Sequence, residues 1–178
     1  PTPCGSETCE REVRGDYAAC SGDLIVEYFR GPATITEAED YPWGDIDGIA
    51  TGISFYHSAV RMAEITDGTT STYLLGEKYL NPDSYTDGSD PADNEDLYSG
   101  FNNDNHRIAY YDPVTKTALT PRQDYPGLRS PRSFGSAHAG SCFMSFCDGS
   151  VQAISYEIDP LTHQRMGNRM DGKSIEVR

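Results

Sequence analysis

Apolar residues occur in short runs that are separated by polar stretches rich in glycine and proline. Runs of β-branched and aromatic residues at 24–29, 53–56, 70–79 and 108–112 favour strands, whereas 60–65 fits a helical turn or a strand. No run is long enough to span a membrane. The pattern therefore predicts one α+β, β-rich domain over residues 1–178, built on an antiparallel sheet with long loops, after a cysteine-bearing lead-in at 1–22.

A hairpin is predicted around Asp148-Gly149, where strand-like runs at 141–147 and 150–156 flank the dipeptide. Asp-Gly favours a two-residue type I′ turn, which requires positive φ at both positions. That loop pairs Phe146 with Val151, and directly opposed residues share a face. The core face of the hairpin is then expected to contain four apolar side chains: Met144, Phe146, Val151 and Ala153.

The residues on either side of the hairpin extend this prediction. The same register places His138 opposite Asp159, which gives the histidine a carboxylate neighbour. After Pro160 the pattern predicts a helical turn, and 173–177 fit a short final strand that follows the turn at 171–172.

Five cysteines indicate structural disulfides and an oxidising compartment, because they occur without the paired spacing of a zinc site. Cys142 and Cys147 point to opposite faces of one strand and lie too far apart to form a bridge with each other. Two arrangements stay open: a bridge from Cys4, Cys9 or Cys20 to the hairpin, or a local Cys4–Cys9 bridge with Cys20 paired to a hairpin cysteine.

The net charge of −14 argues against nucleic acid and against an anionic membrane surface as partners. Much of the acidity lies in the loop at 81–105, which is long enough to suggest a functional or mobile segment. Flexible loops of carboxylates can bind Ca²⁺. The candidate calcium ligands are four aspartates: Asp87, Asp90, Asp93 and Asp96.

Motifs for catalysis are absent from the sequence: it contains no P-loop, dinucleotide fingerprint, H-E-x-x-H or G-x-S-x-G. His138 and Asp148 lie at opposite ends of a strand, so we expect them to be structural rather than an acid–base pair. The sequence therefore predicts no enzyme and no catalytic residue.

Three ordered segments resemble the recurrent motifs of a known family. His138, nine intervening residues and Asp148-Gly149 form an H-x9-D-G signature, residues 65–77 are similar to a second recurrent segment, and 168–172 are similar to a closing motif. The chain thus resembles the prepilin-type-processing-associated H-x9-D-G domain family, domain of unknown function 1559, which is abundant in Planctomycetes. The second segment adds Asp67, Gly68 and Glu77 to the structural motif residues.

Members of that family resemble type IV pilins and type II secretion pseudopilins, which carry a cleaved leader and a long apolar N-terminal helix. The resemblance implies a pilin-like globular head lacking that helix, exported to the cell surface, where membrane contact would use only a segment absent from this chain. The expected function is a structural subunit of an extracellular pilus-like or pseudopilin-like assembly, with self-assembly or other pilin-like subunits as partners. The alternative is a calcium-dependent surface module that binds a polysaccharide or an envelope protein.

Overall fold

The computed structural model describes residues 3–4, 7–8, 13–25, 32–42, 49–98 and 100–175. The strands are β1 (Pro3–Cys4), β2 (Glu7–Thr8), β3 (Tyr17–Cys20), β4 (Tyr73–Glu77), β5 (His106–Arg107), β6 (Tyr111–Asp112), β7 (Thr117–Ala118), β8 (Arg122–Gln123), β9 (Gly135–Ser136), β10 (Ser141–Phe146) and β11 (Val151–Ser155). The helices are α1 (Ile35–Ala38) and α2 (Pro160–Gly167), with 3-10 turns at Met62–Glu64 and Pro82–Ser84. Across these ranges no helix combines the length and apolarity that crossing a membrane requires.

A five-stranded sheet in the order β11-β10-β4-β3-β5 forms the centre of the fold. Its strands pair antiparallel except β3 and β5, which run parallel. Short two-stranded pairs, β1-β2, β6-β7 and β8-β9, lie outside it. The predicted β-rich α+β class is confirmed. The cysteine-bearing lead-in predicted at 1–22 is not separate from the domain, because it contains β3, which lies inside the sheet.

The strand predictions differ in outcome. The run at 70–79 contains β4, and the run at 108–112 contains β6. Residues 53–56 form bends and a turn instead of a strand, and the N–H groups of Ile53 and Ser54 both donate to the carbonyl of Cys20 at 3.1 Å. Residues 24–25 and 173–175 form no strand, and 26–29 and 176–177 lie outside the described residues. The helical turn after Pro160 is confirmed as the two-turn helix α2.

The β10–β11 hairpin exists, but its loop has three residues rather than two. Phe146 N–H donates to the Ser150 carbonyl and Gly149 N–H to the Phe146 carbonyl, both at 2.9 Å. Gly149 has φ of 86°, whereas Asp148 keeps negative φ and accepts a hydrogen bond from Ser150 N–H at 2.9 Å. A type I turn followed by one left-handed residue forms this loop, because a non-glycine residue avoids positive φ.

The longer loop shifts the register of β11 by one residue. Cys142 now pairs with Ile154 and Phe143 with Ala153. Met144 and Phe146 are buried as predicted, but the prediction that Val151 and Ala153 join them is wrong, since both are exposed and Ile154 is buried instead. A shift of one residue exchanges the two faces of a strand, because side chains alternate.

Gly149→Ala should lower the free energy of unfolding by about 1 kcal/mol, because an alanine at positive φ is strained while nothing lies within 4 Å of the added methyl group. Gly149→Asn should cost less, since asparagine tolerates the left-handed region. Urea denaturation of the two variants measures the difference. Equal stability of all three proteins would contradict the turn assignment.

The main core lies on one face of the central sheet. Its members are Cys20, Tyr73, Phe134, Cys142, Met144, Phe146 and Ile154. Helix α2 packs against this core. Nδ1 of the buried His163 is 3.2 Å from the Tyr73 hydroxyl, and Met166 packs against the cluster. The opposite face of the sheet carries exposed apolar side chains, including Tyr17, Leu75 and Phe143.

Candidate functional site

The side chains of His138 and Glu77 are in contact where β4 and β10 lie side by side. Nε2 of His138 is 3.3 Å from Oε1 of Glu77, and Oε2 of Glu77 accepts a hydrogen bond from Phe143 N–H at 2.7 Å. The Phe143 ring meets the imidazole edge-on, at 5.8 Å between centroids. Glu77 therefore ties the start of β10 to β4 and orients His138.

The predicted pairing of His138 opposite Asp159 is wrong, because β11 ends at Ser155 and its ladder to β10 does not extend to either residue. Asp159 instead caps α2, where its Oδ2 accepts hydrogen bonds from the N–H and hydroxyl of Thr162 at 2.9 and 3.0 Å. The carboxylate that contacts His138 is that of Glu77. The sequence identifies Glu77 as a motif residue but does not predict its partner. Strand pairing between residues 66 positions apart supplies that contact.

Asp148 lies at the other end of β10 from His138, so the two residues do not form a joint site. Its N–H donates to the Thr69 carbonyl at 3.1 Å, and the hydrogen bond from Ser150 N–H holds the pKa of its carboxyl below the usual value. The neighbouring Cys147 N–H donates to the Thr72 carbonyl at 3.0 Å. The hairpin turn is thus fastened to the loop that leads into β4.

Asp67 joins the second motif segment to the closing motif. Its two oxygens accept hydrogen bonds from the N–H groups of Asp171 at 2.6 Å and Gly172 at 2.9 Å, and its own N–H donates to the Arg169 carbonyl at 3.2 Å. The carbonyl of Gly68 accepts a hydrogen bond from the hydroxyl of Thr72 at 3.0 Å. The three motif segments, far apart in sequence, are therefore in direct contact.

Cys20, Cys142 and Cys147 are free thiols, so the predicted bridge to the hairpin does not form at any of them. The sheet order explains why Cys20 and Cys142 do not pair. β4 lies between β3 and β10, which puts the two backbones about 9.5 Å apart at ~4.8 Å per strand spacing. A disulfide spans at most about 7 Å between Cα atoms. Cys9 and the side chain of Cys4 lie outside the described part, so a Cys4–Cys9 bridge stays a prediction.

The described thiols should be unreactive in the native protein. Burial raises the pKa of Cys20 and Cys142 to about 12 and that of Cys147 to about 11, and the thiolate is the reactive form. In a Cys4→Ser/Cys9→Ser background at pH 8, we expect Ellman's reagent to label none of the three within an hour and all three in guanidinium chloride. Prompt labelling of the native protein would contradict this burial.

The four candidate calcium ligands are not brought together. Asp87, Asp90 and Asp96 accept hydrogen bonds from backbone N–H groups of the loop or its flank at 2.6–2.9 Å, and Asp93 pairs with Lys78 at 2.7 Å. In the part of the chain that the structure describes, no three acidic, histidine or cysteine side chains are grouped to hold a metal ion. Asp90 and Asp93 are buried, so part of the loop packs against the domain instead of extending into solvent.

Two buried cations that sequence reasoning missed hold this acidic loop. Lys78 Nζ donates to Asp93 Oδ1 at 2.7 Å and to the carbonyl of Asp104 at 2.9 Å. Arg107, which has no exposed surface, donates from Nε to the Ser133 carbonyl at 2.9 Å and from Nη2 to the Ala92 carbonyl at 3.4 Å. The only signal in the sequence is position: Lys78 lies within the predicted strand at 70–79, and Arg107 directly precedes the one at 108–112.

A second junction involves the closing motif. Asn168 donates to Asp23 Oδ1 at 3.2 Å, and the same oxygen accepts the hydroxyl of Thr51 at 2.5 Å. Arg169 Nη1 donates to the carbonyls of Ala50 at 2.6 Å and Gly52 at 2.7 Å. The motif side chains are therefore connectors between the loops on one side of the sheet.

A family model described as "Protein of unknown function (DUF1559)" matches residues 4–161. The chain belongs to this family. The matched range includes β2 to β11 and the start of α2, so DUF1559 covers the whole central sheet together with the His138–Glu77 pair. No curated protein and no solved structure matches the chain.

Acid should destabilise the protein through its buried histidines. Burial lowers the pKa of His163 from 6.5 to about 3 and that of His106 to about 4. Between these values and 6.5 the unfolded chain binds more protons than the folded one, so stability falls as pH falls through this window. Each histidine should cost about 2 kcal/mol at pH 5, at 1.36 kcal/mol per pH unit.

Urea denaturation at pH 7 and pH 5 measures this loss. His163→Phe removes one titrating group, and its stability should change less between the two pH values than that of the wild type, whatever its stability at pH 7. An unchanged pH dependence in His163→Phe would show that His163 is not the group involved.

Proposed function

We propose that this DUF1559 chain is a structural subunit of an extracellular or cell-surface assembly, similar in role to a pilin or pseudopilin head, and that it is not an enzyme. The observation that carries the proposal is the use of the motif residues. Glu77 holds β10 and orients His138, Asp67 binds the closing motif, and Asp148 fastens the hairpin turn. The motif residues on which the family resemblance is based therefore build the fold.

The chemistry of the pair at the sheet surface supports a structural role. The imidazole of His138 contacts Glu77 and the Phe143 ring, and the nearby Ser136 hydroxyl accepts a hydrogen bond from the His138 backbone N–H at 3.2 Å. A histidine–carboxylate pair supports nucleophilic catalysis when the imidazole also binds a nucleophile. Here the hydroxyl closest in sequence, that of Ser136, instead accepts a hydrogen bond from the backbone N–H of His138.

Charge and exposed apolar area support the proposed assembly. The net charge of −14 keeps single subunits soluble, and the exposed apolar side chains on the outer face of the sheet, such as Phe143 and Leu75, offer contact area. Export and self-association are the parts of this proposal that the family resemblance suggested. Calcium-dependent binding stays the alternative, and a calorimetric titration with CaCl₂ tests it, compared with the Asp87→Asn/Asp96→Asn variant, which leaves the buried Asp90 and Asp93 in place.

Electron microscopy of the native-length protein, isolated from its source without refolding, tests the proposal. We expect filaments or a lattice, and fractionation should place the protein outside the cytoplasm. A native-length protein that is strictly monomeric at high concentration and forms no ordered particle would contradict the assembly. Hydrolysis or transfer activity that Glu77→Gln abolishes while the melting temperature stays unchanged would contradict the structural role.

A further inference from the structure

Strand β11 forms one edge of the central sheet, and no strand within the described ranges pairs with its outer side. Its inner side is bonded to β10, because Phe146 N–H donates to Ser150 and Tyr156 N–H to Gly140. Hydrogen-bonded and non-hydrogen-bonded pairs alternate along an antiparallel ladder. The N–H and carbonyl groups of Val151, Ala153 and Ser155 therefore point outward from the sheet.

This edge lacks the features that usually prevent pairing with another chain. Natural edges are shortened, bulged, or protected by charged residues and proline. β11 has five residues, Val-Gln-Ala-Ile-Ser, with no charge and no proline. The opposite edge, β5, has only two residues, and the ring of its His106 lies against Phe101 at 4.3 Å between centroids. Among the residues that the structure describes, the β5 edge is thus protected and the β11 edge is open.

Exposed apolar side chains lie on the hairpin beside the open edge, and its two strands carry no charged residue. On the outer face, Val151 is 63% exposed, Phe143 44% and Tyr17 58%. Residues 141–155 contain a single charged residue, Asp148, in a chain with 28 acidic residues. Because the strands of the hairpin carry no charge, a second copy of this acidic chain meets little local repulsion along β11 itself.

We propose that β11 pairs antiparallel with β11 of a second copy about a twofold axis at Ala153. This inference rests on the proposed function and names a surface that the assembly uses. An antiparallel strand edge is complementary to itself, as a twofold interface requires. With Ala153 opposite the partner's Ala153, Val151 faces the partner's Ser155, so the outward backbone groups of each copy bond to those of the other. The small Ala153 side chain allows close approach at the axis.

A cleft next to β11 leaves room for the partner. It lies between β11 and α2, has a volume of about 620 Å³, and its lining includes Ile154, Ile158, Leu161 and Met166. In the paired arrangement the partner's Gln152 lies opposite Ile154, on the side of the sheet that faces this cleft. The lining also includes Glu157, Asp159 and Arg165, which can form hydrogen bonds with a polar side chain such as Gln152.

Sedimentation velocity over a concentration series tests the pairing. We expect a wild-type dimer and at least a 10-fold higher dissociation constant for Ala153→Pro and for Ala153→Lys. Proline removes only an outward N–H and should leave the ladder to β10 intact, while lysine adds charge at the axis. Val114→Lys, at a residue 87% exposed between β6 and β7, is the matched control and should dimerise like the wild type. A wild type that stays monomeric, or variants that dimerise equally well, would overturn the inference.

Cross-linking checks the geometry separately. Directly opposed, hydrogen-bonded residues lie about 5.5 Å apart between Cα atoms, which is within disulfide reach. Oxidised Ala153→Cys should therefore form a covalent dimer far faster than Val114→Cys or the wild type. If Ala153→Pro still forms native-like filaments, the strand pairing is wrong while the assembly stands. If neither dimers nor filaments form, both proposals fail.

Discussion

Replacing Lys78 with methionine should lower the free energy of unfolding by about 3–5 kcal/mol. The side chain of Lys78 is 1% exposed, and its ammonium group pairs with Asp93, whose side chain is 8% exposed. Methionine fills similar volume but leaves the Asp93 carboxylate buried, with Arg14 at 3.9 Å as a remaining cation. Guanidinium denaturation at pH 7.5, followed by circular dichroism and tyrosine fluorescence, measures the loss.

Two further variants show whether the unpaired charge is the cause. Lys78→Met/Asp93→Leu removes both charges and should recover most of the lost stability, because an apolar pair often replaces a buried ion pair without loss. Lys173→Met breaks the exposed contact with Asp171, at 3.8 Å, and should change stability by less than about 0.5 kcal/mol. If Lys78→Met and Lys78→Met/Asp93→Leu are equally stable, the unpaired Asp93 charge is not the cause. The loss of stability would then come from the change in side-chain volume or from the unpaired carbonyl of Asp104.

The sequence predicted the strands better than their register. The runs at 70–79, 141–147 and 150–156 contain β4, β10 and β11, because β-branched and aromatic residues between turn signals favour strands. The register depended on φ at the single residue Asp148, and one extra loop residue moved Val151 from the expected core to the surface. Turn preference alone does not decide between a two-residue and a three-residue loop.

Long-range contacts explain what the sequence did not reveal about the site. His138 and Glu77 were recognised as motif residues, but their contact arises only when β4 and β10 align. Lys78 and Arg107 were not recognised, since a cation in a chain of net charge −14 is usually exposed. Tyr-Ala-Ala-Cys at β3 is too short and too weakly β-forming to be recognised without its neighbours, β4 and β5.

Arg107→Met should have an effect of about 4 kcal/mol or more, because it removes several buried hydrogen bonds at once and leaving a buried acceptor unpaired costs about 1–3 kcal/mol. The guanidinium group reaches carbonyls in separate parts of the chain: those of Tyr79, Ala92, Asn103, His106 and Ser133. Methionine has none of the five donors of the planar guanidinium group. The acidic loop and the strand that precedes it should therefore lose their common attachment to β5.

The Arg107→Lys variant separates the effect of the positive charge of Arg107 from the effect of its guanidinium geometry. Arg107→Lys keeps the positive charge but reaches fewer carbonyls, so it should recover only part of the stability lost in Arg107→Met. Hydrogen exchange should show faster exchange in the loop at 81–105 of Arg107→Lys, while β10 and β11 keep their protection, since these strands are bonded to each other and to β4. Full stability of Arg107→Lys would mean that charge alone holds the loop. Uniformly faster exchange would mean instead that Arg107 supports the whole domain and not this attachment.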